Sequence, residues 1–475
     1  MTYTPTRGPH PAGSPPAAPE PPAGPGAAPR RRGWTDGAHR TRFSATTEPG
    51  RLRLIGASLA VLVVAFGAVT AWQITERSAA ADHVVHHSAP LSADAAEIYR
   101  SLADADATVA GGFLLGGEEP QAVSDRYQKD IATAARLITQ AAASSEGTGA
   151  AAQRLATLNE QLPYYVQQVA TAQADNRQGL PLGGAYLSYA DQRMQMKGGL
   201  LAAADDLYRI ETDRLNRDYA DAEALPWAAW VLGALVLATL VWAQRRHFRR
   251  TNRVFNQGLL AASAASAVVL VWLVAGHSVA RARLSDSYSH GAESMQILNS
   301  ARISMLQARG NENLTLVARG SGDAYEDGFN DDMRKLAGAN PSGVGGQLAQ
   351  ALALADDSAG RGPLDAAVTS VRIWRGRHTA ARASDDGGDY TTAVAQVIGG
   401  KDSAGKTVTQ TTGQCFDKVD ADLDRAVAQE QREFREAADS GRGALSLLPA
   451  GAALLAVLAA AGAALGIGRR LSEYR

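Results

Sequence analysis

Four apolar runs, Leu54–Ile74, Pro226–Ala243, Phe255–Gly276 and Leu445–Ile467, constrain this 475-residue chain more than any other feature. Each is about 18 residues or longer, enough to carry a helix across roughly 30 Å of hydrocarbon. Flanking cations set their direction. Arg30, Arg31, Arg32, Arg40, Arg42, Arg51 and Arg53 precede the first run, and Arg469, Arg470 and Arg475 follow the last. Between the second and third lie Arg245, Arg246, Arg249, Arg250 and Arg253. Short cation-rich loops stay in the cytoplasm. The expectation is therefore a multi-pass plasma-membrane protein with both termini inside and 77–225 and 277–444 outside. Trp72, Trp227, Trp230 and Trp272 fall near the outer ends of their runs and Trp242 near an inner end, as interfacial aromatics do.

The expected division is a disordered cytoplasmic arm (1–50), span one (54–74), a first outer bundle (77–225) and span two (226–243). A basic cytoplasmic loop (244–254), span three (255–276), a second outer bundle (277–444), span four (445–467) and a cytoplasmic tail (468–475) complete it. The arm is rich in Pro, Gly, Ala and Arg and poor in large apolar residues, so it lacks the surface to fold. Its hydroxyls Thr35, Thr41, Ser44, Thr46 and Thr47 stand among arginines, where phosphorylation would act electrostatically. Span one is too long, and preceded by too much chain, for a cleaved signal peptide.

Both outer segments read as helical, giving an all-α class with four-helix-bundle-like domains. Val123, Tyr127, Ile131, Ala134 and Ile138 share one helical face, and Leu155, Leu158, Leu162, Tyr165 and Val169 form a three-four seam. Pro163 inside that seam predicts a kink or a late start, and Pro90 a break. A fourth helix is expected over 183–222, and no strand is expected. In the second segment Leu364, Val368, Val371 and His378 repeat the pattern, as do Phe416, Val419, Leu423, Ala426 and Glu430. Span–bundle–span thus occurs twice, about 200 residues apart, and Phe113–Gly117 occupies the place of Leu316–Gly320. Gly462 with Gly466, and Ala262 with Ser266, give small-residue spacings for close packing in lipid.

Net charge is −1, which gives no case for nucleic-acid binding. The single cysteine, Cys415, excludes an internal disulfide and paired-cysteine metal motifs. No Asp, Glu, Lys or Arg lies deep in a span, which disfavours transport. His83 and His87 have i, i+4 spacing beside His86, but lack the glutamate of a metalloprotease motif and a defined third ligand; no metal or other cofactor is expected. No nucleophile elbow, phosphate loop or dinucleotide fingerprint is present, so a non-enzyme is expected.

Two turns carry the candidate binding groups. Asn176, Arg177 and Gln178, with Tyr186 beyond Gly179-Leu180-Pro181, offer a fork for a carboxylate or a partner backbone, although a turn needs Gly and Pro in any case. Arg382, Asp385 and Asp389 mark the matching turn, where carboxylates at a helix start act as caps; the spacing is not that of a Ca²⁺ loop. Trp374 among Arg372, Arg375, Arg377 and His378 reads either as a partner-docking stripe or as one buried ring on a solvated face.

Four spans, two outer bundles, a short basic inner loop and the stretches Asn176–Leu187 and Asp385–Val394 resemble the GlnX-type membrane proteins of actinobacteria. The architectural likeness covers roughly residues 50–475. It implies a link between an extracytoplasmic solute-binding lipoprotein and a cytoplasmic Ser/Thr kinase responding to glutamate, aspartate or glutamine. Independently, so little chain lies inside that an outer sensor would have to borrow its output, with Arg245, Arg246, Arg249, Arg250 and Arg253 as the coupling face. A direct ligand-binding bundle and a cell-envelope scaffold are the rival readings.

Overall fold

The computed structural model describes residues 48–116, 119–144, 149–180, 182–251, 257–340, 344–355, 357–446 and 448–472. The arm up to residue 47, Pro181, Arg253, Pro341 and the last three residues lie outside them.

The described residues begin with a long helix of 36 residues. α1 (Glu48–His83) passes through a widened π turn, Val84–Ser88, directly into α2 (Ala89–Leu114). Pro90 does not break it. A proline lacks the N–H of the i−4 bond and crowds the preceding turn, and the wide turn before it relieves that crowding. α3 (Gln121–Ser144), α4 (Ala150–Arg177), α5 (Leu182–Gln195), α6 (Leu200–Glu223) and α7 (Trp227–Thr251) follow. α8 (Gln257–Asp286) again passes through a π turn, Ser287–Ala292, into α9 (Glu293–Val317). Then come α10 (Asp323–Ala337), α11 (Gly346–Leu354), α12 (Ser358–Asp386), α13 (Tyr390–Ile398), a two-residue antiparallel hairpin (β1 Gly400–Lys401, β2 Thr407–Val408), α14 (Thr412–Ser446) and α15 (Leu448–Ser472).

Three expectations change. α4 runs straight through Pro163, because its neighbours bury Leu158, Leu162 and Tyr165 on one side and hold the helix together. The helix expected over 183–222 is two helices, parted at Lys197-Gly198-Gly199, where Gly198 has φ +79° and a Cβ on Gly199 would strike the Arg193 carbonyl. The hairpin at 400–408 was not foreseen; two-residue strands give no alternation to read.

Three stretches, within Leu54–Leu114, Leu182–Arg246 and Gln257–Val317, are long and apolar enough to cross a bilayer. α15 carries a shorter described apolar stretch, Ala453–Gly462. α1 packs on α7 and α15, and α8 packs on the same two. Leu59, Val63 and Phe66 of α1 meet Val236, Leu240, Leu259 and Ala262 in one cluster. Glycines permit the approach: a Cβ on Gly233 would lie 2.8 Å from Phe66, and one on Gly462 would lie 3.8 Å from the Ala261 Cβ.

Away from this layer the segments 77–225 and 277–444 share one core. α2 packs along α9, so Ile98 and Leu102 join Leu298, Met305 and Leu306, with Leu158 and Tyr165 on one side and Phe416 and Leu423 on the other. Each such side chain contributes roughly 1.5–3 kcal/mol when fully buried. The expected three-four seam is buried as read: Leu155, Leu158, Leu162, Tyr165 and Val169 are all in the core.

Candidate functional site

α2 and α9 lie between the two halves, and their polar residues therefore face protein. Asp104, Asp106, Arg309, Glu312 and Asn313 are all buried. A buried charge persists only when paired; Asp104, Asp106 and the Arg309–Glu312 pair find partners within their own half, while Arg126 and Asn313 reach across to the other. Arg126 of α3 grips Asp104 through Nε and Nη2 at 3.1 and 2.8 Å, and its Nη1 donates to Asp417 of α14 at 3.3 Å. Asp420 lies 3.6 Å from Arg126 and 3.8 Å from Arg302, which also pairs with Asp424. Arg100 adds Glu97 at 2.6 Å, Asp104 at 3.6 Å and Asp130 at 3.8 Å. Burial and the neighbouring Asp104 push Asp130 up to about 8 against the pull of Arg100 and Arg126.

Beside this network opens a cavity of about 400 Å³. Its walls are α2 and α3 on one side, and α9, the end of α13 and the start of α14 on the other. Two cations and two carboxylates line it: Arg126, Arg309, Asp104 and Asp417. Phe416 stands between the two guanidinium groups, whose carbons lie 5.5 and 5.8 Å from its ring centre. Asn313, 1% exposed, donates through Nδ2 to the Ala107 carbonyl at 3.0 Å. Its Oδ1 has no partner among the described residues. Glycine keeps the space open, since a Cβ on Gly413 would lie 2.9 Å from Arg309 Nη2 and one on Gly111 3.1 Å from Asn313 Nδ2.

Under Arg309 a second network is fully satisfied. Glu312, 1% exposed, accepts from Arg309 Nη1 at 2.6 Å, from Trp374 Nε1 at 3.1 Å and from His378 Nδ1 at 3.0 Å. His378 Nε2 reaches Glu326 at 3.1 Å, and its ring stacks on Phe329 at 3.6 Å. A third buried site joins α2, α4, α5 and α10. Tyr165 donates to Asp106 at 3.2 Å and Tyr325 to Asp191 at 3.0 Å. Burial, then the nearby Asp191, holds Asp106 well above the usual carboxylate range, and burial pushes Asp191 up to about 6.

The residues singled out from sequence fall elsewhere. Asn176 donates to the Phe113 and Gly116 carbonyls and so fastens the end of α2 to α4, while Arg177 and Gln178 are exposed. Arg382 pairs with Glu326, Asp385 and Asp386, and Asp389 caps α13 by accepting from the Thr392 N–H at 3.0 Å. Trp374 is 0% exposed, so it is the buried ring of its stripe and presents no docking surface. Tyr186 does face outward, its ring 6.3 Å from that of Tyr189, which is exposed as well. Arg245, Arg246 and Arg249 extend α7, with Arg246 5.4 Å from the Trp242 ring.

Residues 80–220, from the last residues of α1 to near the end of α6, match the family model described as an actinobacterial sensor domain. This part of the chain is similar to a sensor domain. The match supplies the α2–α3 wall of the cavity, and the α9–α14 wall lies beyond it. No curated protein and no solved structure matches the chain. A sensor-type domain joined to bilayer-length apolar helices gives the chain a sensing role at a membrane.

Proposed function

We propose that the chain is a non-enzymatic transmembrane signalling adaptor. In this reading it relays extracytoplasmic sensing of glutamate, aspartate or glutamine, presented by a solute-binding lipoprotein, to a cytoplasmic Ser/Thr kinase. The observation that carries the relay is helical continuity. Leu54–Leu114 and Gln257–Val317 are each 61 residues of unbroken helix, so the walls of the outer core and the apolar layer are single rods of about 90 Å. A shift of one or two ångströms at one end of such a rod reaches the other. α15, packed on α1 and α8, serves as the fourth span, and the positive-inside rule places both termini and the 244–254 loop in the cytoplasm.

Two copies of one span–bundle–span unit account for the element order. The π turns at Val84–Ser88 and Ser287–Ala292 sit at matching places, and Gly116 and Gly320, both left-handed, end the helices that follow. The exposed face of α5 formed by Leu182, Tyr186 and Tyr189 at i, i+4 and i+7 suits a protein partner, since exposed aromatics are enriched at interaction surfaces. The identities of lipoprotein and kinase rest on the resemblance to GlnX-type proteins. Deleting 244–253 tests the inner half: kinase phosphorylation in response to the amino acid should be lost while lipoprotein capture persists. Coupling that survives the deletion would remove the relay.

A direct ligand-binding sensor is the second reading, and the mixed-charge cavity is the observation in its favour.

A further inference from the structure

We infer that the cavity between α2–α3 and α9–α14 is a binding site for a small zwitterion of zero net charge. The inference rests on the sensing role proposed above and names the ligand chemistry of that second reading. Its volume of about 400 Å³ lies in the range of small-molecule sites, and an amino-acid-sized solute fits with water to spare.

The chemistry follows from what the walls leave unmet. Asn313 is 1% exposed and its Oδ1 accepts from nothing among the described residues. A buried acceptor of this kind calls for a donor, which an ammonium or amide N–H supplies. Arg309 spends Nη1 on Glu312 and Thr412, at 2.6 and 3.1 Å, and turns Nη2 towards Gly413 at the cavity wall. A carboxylate is its complement. Arg126 and Arg309 balance Asp104 and Asp417, so the described lining carries no net charge. A net anion or cation entering this partly desolvated space would stay uncompensated, whereas a zwitterion satisfies both signs.

Position gives the site its consequence. α2 and α9 continue into α1 and α8, and α14 leads to α15, so a bound solute touches three helices that connect to the apolar layer.

The test uses the full chain in lipid nanodiscs and calorimetric titration with L-serine, L-asparagine and L-glutamine, against L-glutamate and L-lysine. At least one neutral zwitterion should bind ten-fold or more tightly than either charged amino acid. Asn313→Leu should weaken that binding at least ten-fold, and Asn313→Asp should shift preference towards lysine. In the unaltered protein, backbone exchange over 108–115 and 411–417 should slow on binding, a readout that does not depend on any variant folding. Absence of binding at about 10 mM, glutamate or lysine binding equally well, or protection elsewhere would each overturn the assignment. Loss of the site alone would leave kinase coupling through the 244–253 loop intact. Loss of coupling with binding retained would instead remove the relay.

Discussion

Glu312→Leu should lower the melting temperature of the purified protein by on the order of 10 °C, to be read by circular dichroism at one fixed scan rate. Among the described residues Glu312 is the carboxylate that Arg309, Trp374 and His378 share, and it sits at 1% exposure. Removing one member of a buried ion pair costs roughly 3–5 kcal/mol, because the partners keep their charge without compensation. In domains of this size each kcal/mol shifts the midpoint by about 2–4 °C. Glu312→Gln keeps one acceptor oxygen and the side-chain shape but replaces the other oxygen by a donor, and should fall between. A leucine variant within about 2 °C of the unaltered protein would contradict the network's role.

The same network sets a pH dependence. Burial alone would lower His378, but its bonds to Glu312 and Glu326 outweigh that and raise it to about 9. A histidine raised on folding stabilises fully below its unfolded value near 6.5, and the stabilisation is lost as pH climbs through about 9. The span corresponds to about 3 kcal/mol. Asp130, raised to about 8, loses stability in the same direction but ends lower. The difference between the unaltered protein and Glu312→Gln therefore isolates the histidine. Melting curves that run parallel in both proteins from pH 6.5 to 9.5 would exclude it.

The second large effect is at the seam between the halves. Arg126→Met removes the cation that Asp104, Asp417 and Asp420 surround, leaving Arg100 at 3.6 Å as the cation on Asp104 among the described residues. The Arg126 side chain is a third exposed, so solvent screens part of the loss, and about 2–3 kcal/mol is expected. Amides of α2 and of the first turns of α14 should exchange ten-fold faster or more. Those of α4, buried on its own Leu155–Val169 seam, should be unchanged. Uniform acceleration over the whole outer core would mean that the halves unfold as one unit and that Arg126 is no special clasp.

How much of this was legible depended on which surface a helix faces. The α4 seam could be read because one side meets core and the other water, which is the condition for a 3.6-residue period. The apolar runs could be read because lipid accepts no charge. α2 and α9 could not be read in that way. They are enclosed between the halves, so Asp104, Asp106, Glu312 and Asn313 look like a solvated face in sequence while lying in the core. The cavity draws together residues some 300 positions apart, and no local spacing encodes that. The turn residues Asn176 and Asp389 drew attention for the reason turns always do, and they serve as fasteners of helix ends. Arg309 and Glu312, three apart on one helix, sit among Gly310, Asn311 and Asn313, so the sequence around them reads as polar and does not mark the pair as buried.

The relay itself is tested most directly by pulsed electron–electron resonance on the full chain in nanodiscs, in a Cys415→Ser background. One pair of spin labels, at Ser58 and Ala261, reports the ends of α1 and α8 that the proposed topology puts nearest the cytoplasm; both positions are exposed. A second pair, at Arg177 and Lys418, reports the outer core across the cavity; both are exposed as well. Gly413→Val wedges the cavity, since even a Cβ there crowds Arg309. If outer packing drives the spans, the wedge shifts both distance distributions, the inner one by about 1–2 Å. An outer distribution that moves while the inner one stays fixed would show that the long helices do not transmit, and would contradict the account.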